Sequence, residues 1–242
     1  MRLALASTIA LLLIALVALL ARTGAREPSV AAVPSASPVA TADPAVTSRV
    51  DPDLERGRLA RDDRESRTRR AVRGLMVPIE GAALPTDPDL LPNAPRDFRA
   101  GWHEGIDFQA RAGTPVRAVA QGTVIRADRE FVDWDRPTRD AALYEAVRLG
   151  YTPATTLDRI RGRQVWIDHG HGIVSRYAHL STVADLSVGD VIEAGTVVGA
   201  VGSSGYPEGG PHLHLEIRIG TSYLGDGLAG DALLDVLIRA FD

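Results

Sequence analysis

Residues 211–218 read Pro-His-Leu-His-Leu-Glu-Ile-Arg, and this alternation of polar and apolar side chains is typical of a β-strand. Successive side chains of a strand point to opposite faces of its sheet. His212 and His214 are therefore expected side by side on one face, while Leu213 and Leu215 point into a hydrophobic core. The stretch predicts a core strand that presents two imidazoles together.

The same texture extends outward from this strand through the second half of the chain. From Gly101 onward, short runs of Val and Ile alternate with small or polar residues, and glycines mark the turns, for example at 122–125, 164–167 and 173–177. Aromatic residues make up only 5% of the chain, so the core must be built mainly from Val, Ile, Leu and Ala. We predict a mainly β fold, a compact antiparallel sheet or sandwich.

Two segments break the β pattern and predict helices. Within an insertion at about 126–161, residues 140–149 carry apolar side chains at positions 143, 146, 147 and 149, and 155–160 suits a second short helix. Near the end of the chain, Asp231–Phe241 predicts a C-terminal helix with one apolar stripe, formed by Leu233, Leu234, Leu237, Ile238 and Phe241.

Composition excludes several classes of function. The formal net charge is -4, which gives no bulk electrostatic reason to expect a nucleic-acid partner. No Cys is present, so disulfides and thiolate metal sites are excluded. The sequence also contains no Lys, although Val188–Gly195 resembles the hammerhead of lipoyl and biotinyl carrier domains. A carrier function is excluded because the attachment residue is missing.

The start of the chain predicts export. Arg2 precedes an apolar run from Leu3 to Ala21, and Thr23–Ala25 would serve as a cleavage site. Residues 1–25 therefore fit a cleaved signal peptide or a retained membrane anchor equally well. A disordered or charged linker is expected at 26–74, followed by one domain at 75–242.

The residues suited to metal binding and proton transfer lie in three short segments of the β-rich region, 102–108, 176–180 and 211–216. These segments hold four of the six His. Zinc in hydrolytic sites takes imidazole nitrogens and a carboxylate oxygen, with one position left for water. Two His and one Asp would fill three positions, and further His nearby could move protons. His169 and His171 lie in a glycine-flanked turn and are interpreted as structural.

These motifs also carry a family resemblance. His103-x-x-x-Asp107, Tyr177-Ala178-His179-Leu180 and the stretch 210–216 resemble, in that order, the lysostaphin-like (LytM-type) peptidoglycan endopeptidases. The resemblance implies a lysostaphin-like catalytic domain that cuts peptide cross-links of peptidoglycan in the periplasm or cell envelope. It further implies one Zn2+ ion bound by His103, Asp107 and His214, with His179 and His212 as catalytic residues.

Two alternatives remain open beside this interpretation. The first is a non-catalytic regulator of cell-wall hydrolases with the same fold, although family relatives that act by binding alone generally lack zinc ligands. The second treats residues 103–107 as a helical H-E-x-x-H zinc motif with its last His changed and Glu104 as the general base. The insertion departs from the family pattern, and both an inhibitory role for it and a regulatory protein partner remain open.

Overall fold

The computed structural model describes residue 63 and residues 72–242. The strands are β1 Pro95–Arg96, β2 Gly101–Trp102, β3 Ile106–Gln109, β4 Pro115–Arg117, β5 Gly122–Ala127, β6 Val165–Asp168, β7 Ile173–Ala178, β8 Leu180–Val183, β9 Val191–Ile192, β10 Val197–Val201, β11 His212–Ile219 and β12 Ser222–Tyr223. The helices are α1 Arg136–Leu149, α2 Ala154–Arg161 and α3 Gly230–Ala240. Short 3₁₀ turns lie at Pro88–Leu90, Asp97–Arg99 and Pro207–Gly209.

Antiparallel pairing organises the strands into sheets. The largest sheet has the order β12-β11-β7-β6-β5-β9, and β3 also pairs with β11. A second sheet has the order β4-β10-β8, and β1 pairs with β2. All these pairs are antiparallel. The prediction of a mainly β, antiparallel fold with a helical insertion and a C-terminal helix is therefore confirmed.

One hydrophobic cluster takes side chains from both larger sheets. Leu213 and Leu215 point into it from β11, as their alternation with His212 and His214 predicts, and neither is exposed to solvent. Burying a side chain of this size contributes roughly 1.5–3 kcal/mol. Their burial fixes which face of β11 points into the core. It therefore also fixes the opposite face, which carries the two imidazoles.

The first insertion helix starts earlier than the predicted position 140. α1 begins at Arg136 because Asp135 caps it, accepting a hydrogen bond from the Thr138 backbone N–H at 2.8 Å. Pro137 lies in the first turn, where a helix needs no N–H donor from that residue. The proline therefore helps to start the helix rather than separating it from the preceding segment.

Only part of each predicted apolar stripe is buried. In α1, Leu143 and Ala146 face the domain, whereas Val147 and Leu149 are exposed. In α3, the buried side chains are those of Leu233, Leu237 and Ala240, and Ile238 faces solvent. The narrower buried faces arise because each helix lies on the surface of the sheet domain and contacts it along one side.

The expected signal or anchor at 1–25 lies outside the described residues, as does most of the expected linker at 26–74. Across residue 63 and residues 72–242, no helix has both the length and the apolar character that a bilayer span requires. The ordered core already includes Val72, which is buried with the sheets.

Candidate metal centre

Strand register brings the predicted site residues to one place. On β11, His214 pairs with Asp107 of β3 on one side and with Ala178 of β7 on the other. Directly opposed residues of an antiparallel pair have Cβ atoms about 4.5–5.5 Å apart, so Asp107 stands beside His214. His179 follows immediately after Ala178, and His103 lies three residues before the start of β3. Residues far apart in sequence therefore meet at one end of the central strands.

His103, Asp107 and His214 converge on one point. The His103 Nε2 atom lies 2.9 Å from both Asp107 Oδ1 and His214 Nδ1, and His214 Nδ1 lies 2.9 Å from Asp107 Oδ1. All three residues are buried. In the part of the chain that the structure describes, this is the group of His and acidic side chains whose geometry can hold a metal ion.

The outer nitrogens of the two imidazoles are engaged elsewhere. His103 donates its Nδ1–H to the Leu91 carbonyl at 2.8 Å, and His214 donates its Nε2–H to Glu216 Oε1 at 3.1 Å. These directions follow because carbonyl and carboxylate oxygens only accept. In the neutral imidazoles, the inner nitrogens then carry lone pairs that face each other and the Asp107 oxygen. Such outer contacts are typical of metal-ligating histidines.

This donor set fits zinc. Zinc binds imidazole nitrogens and carboxylate oxygens at about 2.0–2.1 Å in a tetrahedron, which separates neighbouring ligand atoms by roughly 3.3 Å. The observed spacing of 2.9 Å is close to that value. Three converging lone-pair atoms repel one another without a cation, and three protein ligands leave a fourth position free.

Charge and burial set the protonation of the cluster. Burial lowers the pKa of His103 and outweighs the opposing effect of Asp107. Burial alone would raise the pKa of Asp107, but the charge and hydrogen bonds of His103 and His214 hold it well below its usual range. Burial also opposes protonation of His214, yet Asp107 and Glu216 together raise its pKa. Asp107 is therefore an ionised carboxylate, as metal ligation requires.

The two remaining predicted residues lie beside this cluster. His179 donates Nδ1–H to the Ser204 carbonyl at 2.9 Å, and His212 donates Nδ1–H to the Gly210 carbonyl at 3.0 Å. Their ring centroids are 4.7 Å apart. The His212 Nε2 atom lies 3.8 Å from Asp107 Oδ1. Burial lowers the pKa of His179 to about 3, so its ring is neutral and its Nε2 carries a lone pair.

The His179 backbone is held in an uncommon conformation. Its φ of 59° lies in the left-handed region, which costs a non-glycine residue roughly 1–2 kcal/mol. Two backbone hydrogen bonds fix the position: His179 N–H donates to the Arg161 carbonyl at 2.8 Å, and Leu180 N–H donates to Arg163 at 3.1 Å. Strain of this kind is typical of functional sites.

A cavity of about 440 Å³ opens onto the cluster, and all five predicted residues line it. Leu157 and Ile160 of α2 form part of its wall, so the insertion contributes to the groove. Phe98 and Tyr206 also line the cavity and stack on each other with ring centroids 5.0 Å apart. Arg96 reaches in from the rim and lies 3.4 Å from Asp107 Oδ2.

The helical alternative for residues 103–107 is wrong. His103 and Glu104 are not helical, and Asp107 lies in β3. The Glu104 carboxylate pairs with Arg161 at 2.6 Å and Arg218 at 2.8 Å, away from the converging nitrogens. Glu104 is thus committed to ion pairs and is not placed as a general base.

His169 and His171 lie in the turn after β6 and do not line the cavity. The His169 ring contacts the Gln121 carbonyl and the Ser175 hydroxyl, at 2.7 and 2.8 Å. These are structural contacts that hold the turn against β5 and β7.

The sequence prediction omitted Glu216 and Arg161. Glu216 is completely buried, and its pKa is held well below the usual range because Arg161 and His214 outweigh the effect of burial. A signal for Glu216 exists, since it continues the alternation of His212 and His214 on the same face of β11. No local pattern marks Arg161, which is one of many arginines and reaches the site only through the fold.

Residues 145–225 match the sequence model of peptidase family M23. The chain carries a domain of peptidase family M23. The matched range includes His179, His212 and His214, and the predicted lysostaphin-like (LytM-type) family is confirmed. His103 and Asp107 precede the matched range and are joined to it by the pairing of β3 with β11.

Individual relatives of the M23 domain match along parts of their length. The DD-carboxypeptidase/endopeptidase Mpg of Neisseria meningitidis is 37% identical over 117 residues, which are 48% of this chain and 20% of Mpg. Lysostaphin of Staphylococcus simulans is 29% identical over 123 residues, 50% of this chain and 19% of lysostaphin. The chain thus spans about a fifth of the length of these two relatives.

The solved catalytic domain of lysostaphin is 26% identical, with a TM-score of 0.38 over 59% of this chain and 85% of that domain. A longer match links the chain to the murein hydrolase activator EnvC of Escherichia coli. It is 28% identical over 197 residues, 74% of this chain and 40% of EnvC.

Proposed function

We propose that this M23 domain is a zinc-dependent endopeptidase that hydrolyses peptide bonds in bacterial cell-wall peptidoglycan. The observation that carries the proposal is the convergence of His103 Nε2, Asp107 Oδ1 and His214 Nδ1 at the edge of a groove that also presents His179 and His212. The name of the relative Mpg, a DD-carboxypeptidase/endopeptidase, supports peptidase activity, and that of EnvC, a murein hydrolase activator, supports a role at the cell wall.

We assign one zinc ion to His103, Asp107 and His214. When bound there, zinc supplies a Lewis acid that lowers the pKa of a coordinated water and polarises a carbonyl. The protein contributes a rigid, pre-oriented ligand set, because Leu91 and Glu216 hold the outer nitrogens of both imidazoles.

We assign proton transfer to His179 and His212. Each ring donates its Nδ1–H to a backbone carbonyl, so that in the neutral imidazole the lone pair lies on Nε2. Such a nitrogen can accept the proton of the attacking water and return it to the leaving amine, and a protonated ring can donate to the developing oxyanion. The two rings lie side by side and divide these steps between them.

The second candidate function is a non-catalytic activator of cell-wall hydrolases, and the EnvC match favours it. Against it stands the completeness of the site, because an activator has no need of three converging ligands and two further imidazoles. The chain retains all five residues and buries the three proposed ligands.

The two functions are separated by one experiment. Purified protein is incubated with peptidoglycan sacculi, and the released fragments are identified by mass, with and without a chelator and with zinc restored. We expect peptide-bond cleavage that the chelator abolishes and zinc restores. Stoichiometric zinc with no cleavage, together with stimulation of a separate cell-wall hydrolase, would establish the activator instead.

We further propose an exported location in the periplasm or cell envelope. A peptidoglycan substrate requires it, and the apolar run at residues 3–21 supplies either a cleaved signal or a membrane anchor. The linker proposed at 26–74 would then hold the domain away from the membrane. A regulatory partner would act at the groove rim, where the insertion lies.

A further inference from the structure

A buried ion network lies directly behind the metal centre. Glu216, two residues after His214 on β11, accepts that residue's Nε2–H at 3.1 Å and is completely shielded from solvent. An unpaired carboxylate in such a position is strongly disfavoured, so its charge must be balanced by neighbouring cations.

Arg161 provides the closest of these cations. It is the last residue of α2 and is itself buried. Its Nε–H donates to Glu216 Oε1 at 2.6 Å, and the His214 Nε2–H donates to the same oxygen. The Nη2 group of Arg161 donates to Glu104 Oε2 at 2.6 Å. Arg176 and Arg218 lie farther away, at 3.4 and 3.5 Å from Glu216 Oε2.

We propose that Arg161 is a positioning residue for the metal centre, which fixes the Glu216 carboxylate from the insertion helix and, through it, the ring of His214. The inference rests on the proposed metallopeptidase function. Under this proposal the insertion helps to build the metal site and does not merely cover it.

Arg161 matters for His214 because the two oxygens of the Glu216 carboxylate contact different arginines. Arg161 pins Oε1 on the side that faces His214, whereas the more distant Arg176 and Arg218 attract Oε2. Without Arg161, the carboxylate would be drawn toward those two arginines. His214 would then lose the acceptor that fixes its tautomer and ring plane, and metal affinity would fall.

The backbone of the same residue supports the other half of the site. The Arg161 carbonyl accepts the His179 N–H at 2.8 Å, where the His179 backbone adopts its left-handed conformation. One residue of the insertion thus contacts the strand end that carries His179 and the carboxylate that orients His214. This double contact distinguishes Arg161 from the other arginines around Glu216.

The test measures metal affinity rather than turnover. Zinc Kd is determined by competition with a chromophoric chelator, and the visible spectrum of the Co2+-loaded protein reports ligand geometry. Arg161→Gln is expected to weaken zinc binding about tenfold and to change the Co2+ spectrum, in the range typical of outer-sphere partners. Arg161→Lys keeps the charge but cannot serve both carboxylates, so an intermediate loss is expected; it also replaces Arg161→Gln if that variant does not fold.

The matched control is Arg159→Gln in the same helix. Arg159 packs over the rings of Phe131 and Trp134 and donates to the Val132 carbonyl, so its loss disturbs the insertion without touching Glu216. Zinc affinity within about twofold of wild type is expected there. A tenfold loss in this control would mean that general loosening of the insertion explains the effect, which overturns the proposal.

A double-variant cycle tests the route through Glu216. If Arg161 acts through this carboxylate, Arg161→Gln has no further effect on zinc affinity in a Glu216→Gln background. An equal loss in both backgrounds, or a folded Arg161→Gln protein with wild-type affinity, overturns the inference while leaving the peptidase proposal standing. A wild-type protein that binds no zinc overturns both.

Discussion

At the scale of single residues, the four imidazoles of the groove differ in what holds their outer ring nitrogens. His103 and His214 are fixed by Leu91 and by the buried Glu216 carboxylate, and both aim their inner nitrogens at Asp107. His179 and His212 are fixed by loop carbonyls, and within residues 72–242 neither Nε2 atom makes a hydrogen bond. This difference supports the proposed roles, with the first pair as zinc ligands and the second pair as proton-transfer residues.

This division predicts opposite phenotypes for two alanine variants. His214→Ala removes one of three ligands and is expected to lose zinc, more than about 100-fold in affinity, together with activity. His179→Ala is expected to keep zinc but lose about 10²–10⁴-fold in kcat, the usual contribution of a proton-transfer residue. Zinc content by elemental analysis and turnover of sacculi are measured on the same samples.

The control for both variants is His171→Asn. His171 lies in the exposed turn after β6 with a φ of 54°, a conformation that Asn tolerates. It should match wild type in zinc content and turnover. Loss of zinc from His179→Ala would show that the ligand and proton-transfer roles have been assigned to the wrong residues.

Local patterns predicted which side chains lie on one face within each segment, and the family resemblance implied that the segments meet, but neither predicted what orients the side chains. Alternation in β11 and the four-residue spacing of His103 and Asp107 are local patterns that survive folding unchanged. The acceptors on the far side of the rings are different, because Leu91 contributes only its backbone carbonyl and that contact depends on how the chain before β1 crosses the site. A backbone carbonyl has no sequence signature.

At the scale of elements, the end of α2 is packed against the loop at 202–205. The two backbones approach so closely that a methyl group on Gly162 would lie 2.2 Å from the Ser204 carbonyl oxygen. The Ser204 hydroxyl completes the contact, accepting from Arg163 N–H at 2.9 Å and donating to the Leu180 carbonyl at 2.8 Å. The loop that orients His179 is therefore held by Gly162 and Arg163, which directly follow α2.

Ser204→Ala tests this arrangement. Loss of the hydroxyl leaves the Arg163 N–H without its acceptor and should cost about 1–3 kcal/mol of stability. The Ser204 carbonyl would shift with its loop, so we expect kcat to fall about tenfold through misplacement of His179, with zinc content unchanged. Thermal unfolding, elemental analysis and turnover measure the three effects separately.

The neighbouring Ser181→Ala is the comparison for that variant. Its hydroxyl donates once, to the Ala200 carbonyl at 3.2 Å, and holds no loop that touches a site His. A small loss of stability without loss of kcat is expected. Equal losses of kcat in the two variants would contradict a specific role for the contact between Arg163 and the loop at 202–205.

Helices and strands were predictable to different degrees at this scale. The β texture and both helical segments follow from periodicity, because core-facing positions must be apolar in any packing. The buried width of α1 was overestimated, since Val147 and Leu149 are apolar yet face solvent. The face of a surface helix that becomes buried depends on the residues against which the helix packs. In α1, Arg139 is buried and paired with Glu208, although an arginine would be expected on the solvent-exposed face from sequence alone.

At the scale of the whole molecule, the proposed zinc site joins segments that lie far apart in the sequence. His103 and Asp107 come from the region before and within β3, whereas His214 lies more than a hundred residues later on β11. Bringing such distant segments together carries a loop-closure cost in the unfolded chain. An ion that binds only the assembled site therefore contributes its binding free energy to the stability of the folded domain.

Metal binding should consequently raise the melting temperature of the domain. Zinc at a free concentration of 100 times its Kd is expected to add about 2.7 kcal/mol to the free energy of unfolding. For a domain of this size that corresponds to a rise in Tm of roughly 5–10 °C, measured by calorimetry with zinc or with a chelator. His214→Ala should show no rise, because two remaining ligands bind too weakly. An equal rise in that variant would place the stabilising ion elsewhere on the protein, since the substitution removes one of the three proposed ligands at the point where β3 and β11 meet.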